Sequence, residues 1–213
     1  ESVTVPFGSF ENVVKILDHG AGDGVPYIAM ELREGEDLAA RLKRDGPLPI
    51  PVAVCILAAV ARGLARAHDA KLIHRDLKPQ NIFLAREGDE EIPKILDFGI
   101  AKARELVQIN VGRVTDDSEA SRPFTPSYGS PEQWVPKRFG TTGPWTDVWG
   151  LALTMVECLT GKPPIDGDLH TMMGTALDPK RRPTPRAEGA DVPVVVDAVF
   201  SRALAVDDPF DLR

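Results

Sequence analysis

The sequence predicts an α+β chain, a small strand-bearing beginning followed by a larger helical part, and three observations carry that expectation. Val13-Val14-Lys15-Ile16-Leu17 and Tyr27-Ile28-Ala29-Met30-Glu31-Leu32 are short apolar or β-branched runs separated by Gly20-Ala21-Gly22-Asp23-Gly24, which reads as two strands joined by a turn. Ala53, Ile56, Leu57, Val60, Leu64 and Ala67 recur at helical spacing and predict an amphipathic helix over 51–69. Residues 147–159 are apolar nearly all round, broken only by Thr154 and Glu157, and predict a buried central helix.

The remaining elements follow in order. Glu34-Gly35-Glu36 reads as a break, and Asp37 is placed to cap a helix over 37–44. Gly46-Pro47-Leu48-Pro49 punctuates before the 51–69 helix. Leu72-Ile73, Asn81-Ile82-Phe83-Leu84 and Lys94-Ile95-Leu96 read as very short strands. Residues 103–131 form a long polar stretch, of a length that in a compact domain is functional or disordered. Residues 178–193, rich in proline and basic side chains, read as an irregular surface connection, and 194–206 as a last helix.

Composition narrows the function classes. The chain has 213 residues, 43% apolar and 27% charged, as an ordinary globular chain of one domain or one lobe plus part of another. A formal net charge of −7 argues against a general nucleic-acid binder, which presents a basic face. The two cysteines, Cys55 and Cys158, sit in apolar helical runs and read as buried thiols with no disulfide framework. The longest apolar run, 49–61, falls short of the ~20 residues of a membrane span, so the segment is expected to be soluble and cytoplasmic.

The chemistry is concentrated in His74-Arg75-Asp76-Leu77-Lys78-Pro79-Gln80-Asn81 and, sixteen residues after Asn81, Asp97-Phe98-Gly99. Asp76 is a carboxylate able to orient a substrate hydroxyl and take its proton. Lys78, two residues on, points the same way from an extended loop and can neutralise a transferring phosphate. Asn81 and Asp97 are oxygen donors suited to Mg²⁺, a hard cation that uses few protein ligands. The alternative for Asp76 and Asn81 is a turn residue.

These motifs and their order identify the chain, from about Asn12 to the end, as resembling the eukaryotic-type serine/threonine protein kinases, and bacterial members in particular. Asn12-Val13-Val14 resembles the segment after the regulatory helix, and Met30-Glu31-Leu32 the gatekeeper and adenine-binding hinge, with Glu31 and Leu32 at the nucleotide. Residues 74–81 resemble the catalytic loop and 97–99 the metal-binding motif. Thr125-Pro126-Ser127-Tyr128-Gly129-Ser130-Pro131-Glu132 resembles the substrate-positioning segment, and Asp147-Val148-Trp149-Gly150 the start of the central helix.

The resemblance implies a protein-kinase-like fold, with 1–32 a remnant of the small lobe and hinge, and 33–213 the helical lobe, truncated at its C-terminus. The activation segment would run over 97–132. It implies a kinase that moves the γ-phosphate of ATP, with Mg²⁺, to Ser or Thr hydroxyls of protein substrates. His74 would pack structurally, Asp147 would brace the loop, and Thr125 would contact Asp76 and Lys78. Arg75 would pair with a phosphate on Thr115, Ser118 or Ser121, although that loop also reads as solvated polar chain. Glu132 would pair with an arginine near the C-terminus. Arg213, in Asp208-Pro209-Phe210-Asp211-Leu212-Arg213, fits better than the frame Asp178-Pro179-Lys180-Arg181-Arg182-Pro183.

The chain departs from the family's pattern at its front. No G-x-G-x-x-G occurs, and no Val-Ala-x-Lys strand precedes residue 13. Glu1 stands about where the helix glutamate of the family is found, but Pro6 and Gly8 make 2–9 a poor helix. Two further readings follow, a non-catalytic pseudokinase or binding module and a small-molecule kinase. Thr125 with Pro131-Glu132 argues against the second. Weak ATP affinity is expected of so short a small lobe.

Overall fold

A computed structural model describes residues 11–22, 25–98 and 124–206. Glu1, Gly99, Thr115, Ser118, Ser121 and Arg213 lie outside these described residues. The order of elements is β1 (Ile16–Gly22), β2 (Val25–Met30), β3 (Gly35–Asp37), α1 (Leu38–Asp45), α2 (Ile50–Asp69), β4 (Ile82–Glu87) and β5 (Glu90–Ile95). After the 3₁₀ turn Pro126–Tyr128 come α3 (Pro131–Trp134), α4 (Pro136–Phe139), α5 (Pro144–Thr160), α6 (Leu169–Leu177) and α7 (Val194–Ala203). The α+β expectation holds.

The strands form two separate antiparallel sheets, β1-β2 and β3-β4-β5. Val13-Val14-Lys15-Ile16-Leu17 is not one strand. Val13 makes a lone parallel bridge with Ile95, Val14 N–H donates to the Ile95 carbonyl at 2.9 Å, and pairing with β2 starts only at Ile16. The reason is burial: Val13 and Val14 are in the core, whereas Lys15 and Leu17 are exposed. Gly35 and Glu36, read as a break, belong to β3, which pairs with β4. Leu72-Ile73 is loop rather than strand.

The main core lies between α1, α2, α5 and the inner face of β4-β5, with Leu38, Ile56, Val60, Leu64, Leu84 and Ile95 among its members. Asp37 caps α1 as expected, its Oδ1 accepting from Ala40 N–H at 2.8 Å. Helix α2 is long and apolar enough, by length and composition, to cross a membrane, beyond what the 49–61 run suggests. Its predicted face is nevertheless spent on the core: Ala53, Ile56, Leu57, Val60, Leu64 and Ala67 are all buried. Cys55 falls on the opposite face and is exposed, contrary to the expectation of two buried thiols, while Cys158 in α5 is fully buried. Burial pushes the Cys158 thiol up to about 12.

Helix α5 is the buried axis predicted for 147–159, and Trp149, Leu153 and Val156 are among its buried residues. Its packing against the loop after α2 depends on Gly150, where an added Cβ would lie 2.9 Å from the Leu77 carbonyl oxygen. Only a residue without a side chain allows that approach. A second cluster joins α5 to Tyr128, Ile165, Ala176 of α6 and Leu204. Residues 178–193 contain no helix or strand, as expected, and the last helix stops at Ala203.

Candidate active site

The site is built where the loop after α2 lies over the start of α5. Asp147, fully buried, accepts from His74 N–H at 2.9 Å, Arg75 N–H at 2.8 Å and His68 Nε2 at 2.7 Å. Its carboxylate thus holds two consecutive loop amides, the bracing arrangement expected of it. His74 is 2% exposed. Its Nε2 sits 2.8 Å from the Leu96 carbonyl and its Nδ1 accepts from Asp76 N–H at 3.2 Å, so the ring proton belongs on Nε2. With both nitrogens engaged and the ring edge-on to Phe98 at 4.9 Å, His74 is a packing residue.

Asp76, Lys78 and Thr125 meet although Thr125 is nearly fifty residues away in sequence. Asp76 Oδ1 accepts from Thr125 N–H at 2.9 Å, and its Oδ2 from Lys78 Nζ at 2.7 Å. Lys78 Nζ also donates to Thr125 Oγ1 at 2.5 Å. The Asp76 and Lys78 side chains are 27% and 19% exposed, open enough to reach a substrate yet shielded enough for charge to count.

The β4-β5 hairpin brings the two candidate metal donors together. Ile82 pairs with Ile95, and Leu96 N–H donates to the Asn81 carbonyl at 2.9 Å, so Asp97 follows beside Asn81. Asn81 Nδ2 donates to the Asp76 carbonyl at 2.7 Å, which orients the amide and leaves its oxygen as the donor for a cation. Asp97 has φ 65°, one of three non-glycine residues with positive φ among the described residues, with Lys71 and Arg75. No cluster of three or more His, Cys, Asp or Glu side chains suited to a metal occurs among the described residues. One carboxylate and one amide oxygen fit Mg²⁺, which completes its shell with water and substrate phosphates.

At the connection after β2, Leu32 is 98% exposed. The Glu31 carboxylate is occupied, accepting from Lys15 N–H at 3.1 Å and Arg33 Nε at 2.8 Å and pairing with buried Lys94 at 3.3 Å. Burial pushes this carboxyl up, but the Lys15 amide and the two cations together hold it below its ordinary value. The Glu31 carboxylate is thus committed to partners within the protein.

Several residues of the site were not singled out in the sequence. Tyr128 donates its hydroxyl to Glu157 Oε2 of α5, and both are buried. Burial raises both groups, and the Glu157 charge raises Tyr128 further. The available signal was Glu157, which with Thr154 breaks the otherwise apolar run 148–159. Gln133 joins the segment to the loop, its Nε2 donating to the Arg75 carbonyl at 2.7 Å. Glu132 is buried and accepts from Thr146 Oγ1 at 2.5 Å. Its expected partner Arg213 lies outside the described residues. Arg182, of the competing frame, has its guanidinium 5.4 Å from the Trp149 ring and donates to the carbonyls of Thr175 and Leu204 at 2.6 and 3.0 Å. Beside Thr125, an open cleft of about 400 Å³ is lined by Pro126, Ser127, Asp168, Leu169, His170 and Met172.

Comparison with known proteins bears on this arrangement. The protein kinase domain family matches residues 6–186. The serine/threonine-protein kinase PknE of Mycobacterium tuberculosis is 35% identical over 196 residues, covering 91% of this chain and 32% of its own. A probable serine/threonine-protein kinase of Clostridium perfringens is 33% identical over 209 residues, covering 97% of this chain and 28% of its own. The chain thus spans about a third or less of the length of these curated relatives. The crystal structure of the M. tuberculosis PknI kinase domain superposes with a TM-score of 0.71 at 29% identity, covering 96% of this chain and 68% of that one. A loop braced by a buried aspartate, a carboxylate–lysine–threonine triangle and a matched domain over most of its length place this chain in the protein kinase family.

Proposed function

We propose that this chain is the catalytic part of a protein serine/threonine kinase that transfers the γ-phosphate of ATP to Ser or Thr hydroxyls of a protein substrate. The observation that carries the reading is the triangle of Asp76, Lys78 and Thr125. Phosphoryl transfer demands positioning and charge stabilisation more than covalent chemistry from the protein. Asp76 accepts the hydrogen bond of the incoming hydroxyl and takes its proton as the new O–P bond forms and the bond to ADP breaks. Lys78, already turned toward Asp76, offsets the negative charge on the transferring group. Thr125 holds both side chains, so the segment that receives the substrate and the base that activates it are one hydrogen-bonded unit. Asn81 and Asp97 would hold Mg²⁺, which supplies charge neutralisation at the phosphates.

Glu31 and Leu32 would contact adenine through their main chain. Arg75 would pair with a phosphate carried by Thr115, Ser118 or Ser121, and Glu132 with a C-terminal arginine. The net charge of −7 favours protein modification over nucleic-acid binding, the buried face of α2 is that of a core helix, and a cytoplasmic location is part of the proposal. The test is intact-mass detection of phosphate on a generic Ser/Thr protein after incubation with ATP and Mg²⁺. Asp76→Asn should lower the rate 10²–10⁴-fold, roughly the contribution of a general base. Equal transfer by this variant would sink the assignment of Asp76.

A further inference from the structure

We propose that Gln133 is a positioning residue for Asp76, locking the peptide unit from which the Asp76 side chain springs; this rests on the phosphotransfer reading above. Arg75 has φ 69°, in the left-handed region, which a side chain makes unfavourable. Such a conformation persists only where its surroundings over-determine it. Asp147 Oδ1 takes the Arg75 N–H at 2.8 Å and Gln133 Nε2 donates to the Arg75 carbonyl at 2.7 Å. That carbonyl and the Asp76 nitrogen belong to one planar peptide. Its N–H end is held by His74 Nδ1 at 3.2 Å and its oxygen end by Gln133. Rotation of this plane would turn the Asp76 Cα–Cβ bond away from Lys78 and Thr125.

The orientation of the Gln133 amide is determined by its partners. Oε1 accepts from Ser130 N–H at 3.1 Å and from Ser130 Oγ at 3.2 Å, and Ser130 is fully buried. Only the nitrogen can then face the Arg75 carbonyl. One short stretch of chain therefore acts on Asp76 twice, through the Thr125 amide on its carboxylate and through Gln133 on the Arg75 carbonyl of the peptide that precedes it. The consequence is mechanical: the aim of the base depends on the substrate-side segment being in place.

Gln133→Glu tests this with almost no change of shape, because it keeps the acceptor for Ser130 and replaces the donor facing Arg75 by a carboxylate oxygen. Gln133→Met removes both ends without adding charge. In the intact chain both variants should lower kcat for phosphate transfer about ten-fold, as expected for loss of the hydrogen bond to the Arg75 carbonyl that they share. KM for Mg·ATP should change less than about two-fold, and amide hydrogen exchange at Arg75 and Asp76 should quicken, while the thermal midpoint of Gln133→Glu, which keeps the Ser130 acceptor, stays nearer that of the parent than that of Gln133→Met. An unchanged kcat in either variant overturns the proposal, as does unchanged exchange, or a matched loss of kcat, ATP affinity and midpoint. Quickened exchange in a chain whose parent transfers no phosphate overturns the positioning role and the kinase reading together, leaving a structural clamp.

Discussion

The two β-hairpins of this molecule use similar lengths of chain and end in opposite environments. In β4-β5, Ile82, Leu84 and Ile95 are at most 1% exposed and belong to the main core, with β5 packed on α2. In β1-β2 and the connection after it, Leu17, Tyr27, Met30 and Leu32 are 60%, 47%, 37% and 98% exposed. A ladder with one face buried has its register enforced, because a slip of one residue would turn every apolar side chain outward. Asn81 and Asp97 stand at the ends of the enforced ladder. An exposed two-stranded hairpin carries no such enforcement and contributes little stability. Proximity in a strand pattern is therefore not enough to make a site; the hairpin has to be pinned to a helix. The two are linked by Lys94 of β5, which donates to the Glu11 carbonyl at 3.0 Å and pairs with Glu31.

This contrast breaks or holds on measurable quantities. Ile95→Ala, in the pinned hairpin, should cost about 2–5 kcal/mol of stability in urea titration, the range for truncating a buried aliphatic side chain. A cost below about 1 kcal/mol would show that the register is not held from this face. Glu157→Gln asks whether a buried polar group beneath the site obeys the same logic. Burial holds the Glu157 carboxyl above its ordinary 4.5, so the folded chain binds this proton more tightly than the unfolded chain. Its contribution is complete below about that value and is lost as pH rises through the folded value. Urea midpoints measured upward from pH 4.5 should therefore fall less steeply in Glu157→Gln, whose amide oxygen still accepts from Tyr128; parallel slopes would refute the burial argument. The smallest effect is expected at Leu17→Ala, within about 0.5 kcal/mol, as for an exposed position. A larger loss there would mean that β1-β2 is stabilised by contacts its exposure does not reveal.

Legibility in the sequence followed the same division. The periodic face of α2, the all-round apolar α5 and the Asp37 cap are local consequences of residue order, and all three stand in the structure. Asp76, Lys78, Asn81 and Asp97 were singled out by their loop spacing, and the structure joins Asp76 to Lys78 and to Asn81 by hydrogen bonds. Cys55 and the Val13–Leu17 run were misread for one reason: apolar character does not say which face of a helix is inward, or which neighbour a short strand will find. Helix α6 (Leu169–Leu177) was missed because only one of its residues, Ala176, is buried and its pattern is weak.

By itself the sequence determined the α+β class, the main helices, the catalytic-loop spacing and the family. The first three depend on propensity, periodicity or short-range order, which act within a few turns of chain; the family rests on the order of motifs spread from Asn12 to Gly150 and on the matched domain. The resemblance implied that Asp147 braces the loop and that Thr125 meets Asp76 and Lys78, and the structure supplied the atoms of both; only the tertiary structure decided that Glu31 is committed to Lys15, Arg33 and Lys94, and that Gln133 reaches the Arg75 carbonyl. These are hydrogen bonds between residues as much as 72 or 73 positions apart or turned by strained backbone. Their partners are chosen by burial, since a buried donor or acceptor must find whichever complementary group the packing brings within 3 Å or so.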